Sequence, residues 1–159
     1  MLRRTALAFA WLGAAVALAA AGMVVISIAG RALWSTPIQG DFELTQFAVA
    51  LAISLGLPWC QWRRANIIVD FFTQHLRAQV SRRLDALGCA LVALMSALLA
   101  WRTGTGALAV HAAGETTMVL ALPMWWVYAA LAPGLALAAA IALWQGWQHL
   151  NLAPTDADT

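Results

Sequence analysis

The stretch Thr5–Gly30 reads TALAFAWLGAAVALAAAGMVVISIAG and carries no charge. A helix rises about 1.5 Å per residue, so roughly 20 apolar residues cross a ~30 Å hydrocarbon core. Three more uncharged runs follow: Leu44–Trp62, Ala86–Trp101 and Thr116–Asn151. The first and last of the four exceed the crossing length, the second just meets it, and the third needs flanking residues. With 63% hydrophobic residues, 10% charged residues and a mean hydropathy of +0.77, the composition argues against a water-soluble domain. The expected fold is an all-α integral membrane protein with four transmembrane helices. Residues 1–152 form one membrane domain and residues 153–159 a short flexible tail.

Arg3 and Arg4 before the first run resemble the charged start of a signal peptide. The apolar run, however, continues through Met23–Ile28, beyond a ~7–15 residue signal core, so it reads as a retained first span. That span is expected to stop near Gly30, before a loop containing Trp34, Pro37 and Gly40. Asp41 or Thr45 starts the second helix, which ends near Pro58–Cys60. The third runs from about Leu84 to Trp101, and the fourth begins near Leu120–Pro123, with a kink expected at Pro133. Between the second and third spans, Asp70 is a candidate N-cap. Phe72, Leu76, Val80 and Leu84 recur at four-residue spacing, while Arg77 and Arg82 fall on other faces. This pattern predicts an amphipathic interfacial helix that either bends into the third span or simply extends it.

All nine basic residues are arginine. With the N-terminus inside, Arg3, Arg4, Arg63, Arg64, Arg77, Arg82 and Arg83 are cytoplasmic, and only Arg31 and Arg102 are external. The positive-inside rule favours this arrangement, and an even number of spans makes the C-terminus cytoplasmic too. Trp34, Trp62, Trp101, Trp125 and Trp147, with Arg77 and Arg82, are the expected membrane-interface anchors.

Little here points to catalysis. Cys60 and Cys89 fit neither a metal pattern nor a disulfide framework, and each is expected to be a buried, inert thiol. No dense cluster of Cys, His and acidic residues suggests a metal site. His75, His111 and His149 fall at interfaces or in loops, which disfavours a haem anchor. No nucleophile, histidine and acid share a depth. The arginines flank spans instead of forming a basic stripe, so nucleic acid is not an expected partner. Neither an enzyme nor a cofactor is therefore expected. Glu43, at the opening of an uncharged span, has two readings: a proton, cation or partner contact, or a helix-start carboxylate favoured by the helix dipole. Arg31 emerges on the same side and is a possible partner for it.

The order Arg31, Gly40-Asp41-Phe42-Glu43-Leu44 and Arg64-Ala65-Asn66-Ile67-Ile68-Val69-Asp70 resembles the small membrane subunit of tripartite ATP-independent periplasmic (TRAP) transporters, the DctQ family. Thr117, Leu120, Pro123, Trp126, Tyr128 and Pro133 extend the resemblance over about residues 5–148. Asn66 is a minor departure, standing where members of the family often show a glycine, histidine or other small polar residue. The resemblance implies a multi-pass protein of the bacterial inner membrane that works with a large permease subunit and a periplasmic substrate-binding protein. An ion gradient, usually sodium, would drive uptake of organic acids, with substrate and sodium held mainly by the large subunit. Arg31, Glu43, Asn66, Asp70 and Trp126 are then the candidate assembly residues. The competing classes are a small multidrug or cation exporter, which needs an ionisable group deep in the bilayer, and the membrane anchor of a respiratory enzyme.

Overall fold

The computed structural model describes residues 2–34, 38–63 and 78–151, with side chains for 2–33, 38–63 and 84–148. Four helices result: α1 (Leu2–Trp34), α2 (Asp41–Trp62), α3 (Ala78–Ala113) and α4 (Trp125–Asn151). Each is long and apolar enough to cross a membrane. The four-span expectation therefore holds.

The helix bounds differ from the sequence reading for identifiable reasons. α1 runs through Gly30 to Trp34, since one glycine inside a helix costs only about 1 kcal/mol. α2 carries the buried Pro58 inside it and continues to Trp62. α3 extends twelve residues past Trp101. There the hydroxyls of Thr103 and Thr105 donate to the carbonyls of Leu99 (2.6 Å) and Arg102 (3.1 Å), so neither needs water. Gly114, at φ 64°, ends the helix: its N–H donates to His111 O and that of Glu115 to Val110 O, both at 3.2 Å, the pairing of a Schellman cap. α4 starts at Trp125, later than expected, because residues 116–123 close into a turn. Residues 78–84 continue directly into the third span. Residues 64–77, where most of the interfacial helix was expected, lie outside the described residues, as does the tail.

The helices do not close into a bundle. α1 packs on α2, α2 on α4, and α4 on α3, while α1 and α4 barely touch. The spatial order is therefore α1–α2–α4–α3, a row of two hairpins joined by the non-sequential α2–α4 pair. Gly13 meets Ala52 and Leu55, and Ser27 reaches Asp41, so α1 runs antiparallel to α2. Gly106 faces Tyr128 and Gly146 faces Cys89, which makes α3 antiparallel to α4. The α2–α4 pair is parallel.

That parallel seam is packed closely. A Cβ on Gly134 would collide with the backbone and hydroxyl of Ser54, and the Ser54 hydroxyl donates to Leu131 O at 2.7 Å. Farther along, the Gln61 amide donates to Gln145 Oε1 at 2.9 Å, and the Gln145 amide returns a bond to Gln61 O at 3.0 Å. Both amides are buried. A buried polar group must find a partner inside the protein, and each supplies the other's. Trp62 stacks on Trp144 beside them, with centroids 5.3 Å apart and rings 6° from parallel. Cys60 is exposed and Cys89 only half-buried, so neither thiol is enclosed as the sequence suggested.

Gly134→Val should force the seam apart and destabilise the chain by about 1–3 kcal/mol. Gly22 has open space around its Cβ position, so Gly22→Ala should be neutral or mildly stabilising. Thermal unfolding of both variants in detergent checks the pair.

Candidate functional site

At the end of the row where α1 and α3 finish and α2 and α4 begin, the polar residues gather. Gly40 precedes α2 at φ 74°, and no side chain caps the helix start from that position. Leu120 lies directly over Gly40, where any Cβ would meet it. Glycine is thus required twice, by the left-handed backbone and by the close approach. Asp41 then accepts a hydrogen bond from the Phe42 N–H (2.8 Å) and another from the Ser27 hydroxyl of α1 (2.5 Å). Ser27 is 1% exposed, so this bond ties a buried side chain of α1 to the opening of α2. The Arg31 guanidinium stands 3.8 Å from the same carboxylate. Arg31 therefore faces Asp41 and not Glu43. With so exposed an arginine the pair contributes little.

Glu43 reaches across the seam. Its two oxygens accept the backbone N–H groups of Val119 (2.9 Å) and Leu120 (3.2 Å). These belong to the turn between α3 and α4, which also binds itself. The Thr117 N–H donates to Leu122 O (2.9 Å), the Leu122 N–H to Thr117 Oγ1 (3.1 Å), and the Met124 N–H to Glu115 O (3.1 Å). Thr116 and Pro123 form an antiparallel bridge at its base. Ala121 sits at φ 52°, a conformation uncommon for a residue with a Cβ. A carboxylate suits this place because a tight turn aims successive N–H groups outward, and the anion satisfies two together. The clasp leaves Met118 wholly exposed at the tip.

Nearby, His111 meets Trp125 edge to face at 5.2 Å, and Trp125 meets Trp126 at 5.6 Å. A cavity of about 760 Å³ opens between α3 and α4 below them, floored by Ala100, Gly104, Ala107 and Ala129. Its lining is almost entirely apolar, which suits hydrocarbon or a packed helix better than a charged solute. Among the described residues no three metal-ligating side chains cluster.

The sequence candidates separate in space. Arg31 and Glu43 share the clasp region through different partners. Trp126 (63% exposed) faces outward above the cavity, and Trp62 is committed to its stack. Trp101 and Trp147 are exposed. Asn66, Asp70 and Arg77 lie outside the described residues, as do the side chains of Trp34 and Arg82. Sequence reasoning missed Ser27, Ser54, Gln61 and Gln145 as interhelix contacts. A polar side chain within an apolar span was the available signal, since it needs a partner on another helix.

A family model described as "Tripartite ATP-independent periplasmic transporters, DctQ component" matches residues 20–152. The chain belongs to the DctQ family. Searches of curated proteins and of solved structures gave no match. The matched span covers α2, α3, α4 and the clasped turn, along with the half of α1 that carries Ser27 and Arg31. In this DctQ chain each of the polar groups Ser27, Ser54, Gln61, Gln145, Asp41 and Glu43 binds another part of the chain. These groups join helices.

Glu43→Gln removes the anion and sets an amide against two N–H donors. The 117–120 turn should loosen while the four helices persist. A spin label on Met118→Cys should gain mobility when Glu43→Gln is added, with unchanged helical circular dichroism. An unchanged label would show that the turn's internal bonds suffice.

Proposed function

We propose that this DctQ chain is the scaffold subunit of a secondary transporter in the bacterial inner membrane. It acts with a large permease subunit and a periplasmic substrate-binding protein to import organic acids, driven by a sodium gradient. The observation that carries the reading is the family match over residues 20–152, three spans and half of the first. Physical support comes from the polar groups just described, whose hydrogen bonds are made within the chain, so that they join its helices and line no carboxylate path. At most a third of the residues in each span are buried, so wide apolar faces are available to lipid and to a larger membrane partner.

The arginine distribution orients the subunit with both termini in the cytoplasm. The Glu43 clasp then faces the periplasm, on the side from which a binding protein arrives. Arg31, Glu43, Asn66, Asp70 and Trp126 act in assembly and not in substrate binding.

Reconstitution tests the reading with this chain alone, the large subunit alone, and both together, each with binding protein and an inward sodium gradient. Uptake should require both membrane subunits. Uptake by this chain alone would refute the scaffold role, and full uptake by the large subunit alone would make the chain dispensable. Orientation has its own check: an alkaline phosphatase fusion after Gly114 should be active and one after Arg63 inactive.

A further inference from the structure

Arg102 lies within the span Leu84–Ala113 of α3, and among the described residues no group compensates it. The packing of α3 on α4 fixes its depth. Gly106 lies level with Tyr128, and Gly146 with Cys89. By this register Trp125 is level with Ala109, and Trp144 with Leu91. The Trp125-to-Trp144 distance along α4 is about 28 Å at 1.5 Å per residue, close to the ~30 Å of a hydrocarbon core. Arg102 then sits about 10 Å inside the Trp125 level and about 16 Å from the Trp144 level. An arginine stem reaches roughly 6–7 Å, short of headgroups that begin beyond the core boundary.

Its direction is equally defined. Arg102 is nine positions from Ala93, which is 2% exposed, and nine steps of about 100° place the two on opposite sides of the helix. α3 is an end of the row and packs on α4, so none of the other described helices lies against the Arg102 side. Leu91, Met95 and Leu98, each more than half exposed, line up with Arg102 at helical spacing. That stripe is an apolar seam with a single charge near its outer end. Among the described residues no carboxylate shares its level: Asp85 is seventeen residues earlier on α3, Glu115 lies beyond the helix end, and Asp41 and Glu43 are engaged at the start of α2.

We propose that Arg102 anchors an acidic side chain, carried at matching depth by a membrane helix of the large subunit docked along the Leu91–Met95–Leu98 stripe. An ionisable group at this depth needs a counter-charge, and a guanidinium supplies a planar fork for a carboxylate. This inference rests on the reading of the chain as one subunit of a larger transporter.

The test co-expresses the chain with the large subunit and measures how much large subunit is retained on the tagged chain in mild detergent. Arg102→Leu should reduce retention about tenfold or more by leaving the partner's acid unpaired. Arg102→Leu should leave the melting midpoint of the isolated chain unchanged or raised, since it removes a charge from the apolar surface. Arg102→Asp combined with an acid-to-arginine exchange at one intramembrane position of the large subunit should restore retention. Wild-type retention by Arg102→Leu would overturn the proposal and assign the guanidinium to lipid phosphate. A loss of retention matched by an equal loss of stability in the isolated chain would also overturn it. Failure of the wild-type chain to retain the large subunit would instead sink the underlying subunit reading.

Discussion

The seam between α2 and α4 holds the molecule together, because among the described residues it is the one broad contact between the two hairpins. α1 joins the row through α2, and α3 joins it through α4. Three polar contacts stitch the seam at different depths: Glu43 to the 117–120 turn at one end, Ser54 to Leu131 in the middle, and Gln61 to Gln145 at the other end. In a bilayer the lipid tails are as apolar as the helices, so the hydrophobic effect gives little drive to bring spans together. Close approach and interhelix hydrogen bonds must decide the neighbours. Gly134 supplies the first and the three contacts supply the second.

A row has consequences that a closed bundle would not. Four helices around a common axis bury one face each, whereas here the end helices α1 and α3 each have one broad neighbour and the middle pair has two. Exposed leucines and tryptophans extend over α1 and α3. Such a shape fits a subunit lying beside a larger membrane body better than an autonomous channel, which needs an enclosed polar path. The commitment of Glu43 to a backbone turn agrees with this. Two of its acceptor sites are held by amides of the turn, which suits a structural role.

Order at the clasp end comes from local chemistry acting with tertiary contact. Gly114 stops α3 with a Schellman cap, the turn closes through Thr117, and Gly40 lets Leu120 sit against the start of α2. None of these would align the hairpins alone. Glu43 converts a self-contained turn into a junction between them, while Asp41 fastens the neighbouring end of α1 through the buried Ser27.

By itself the sequence determined the number of spans, their approximate positions and the asymmetry of arginine, because length, hydropathy and charge are local properties that a bilayer reads directly. The ordered motifs around Glu43 and Pro123 were enough to indicate the family. The tertiary structure alone decided which helices are neighbours, since long apolar segments rich in alanine are nearly interchangeable in one dimension. For that reason Arg31 was matched with the wrong acid, and α3 was given too short a reach. Gln61 and Gln145 are separated by most of α3 and α4 in sequence, and only the parallel packing of α2 on α4 brings the two amides together.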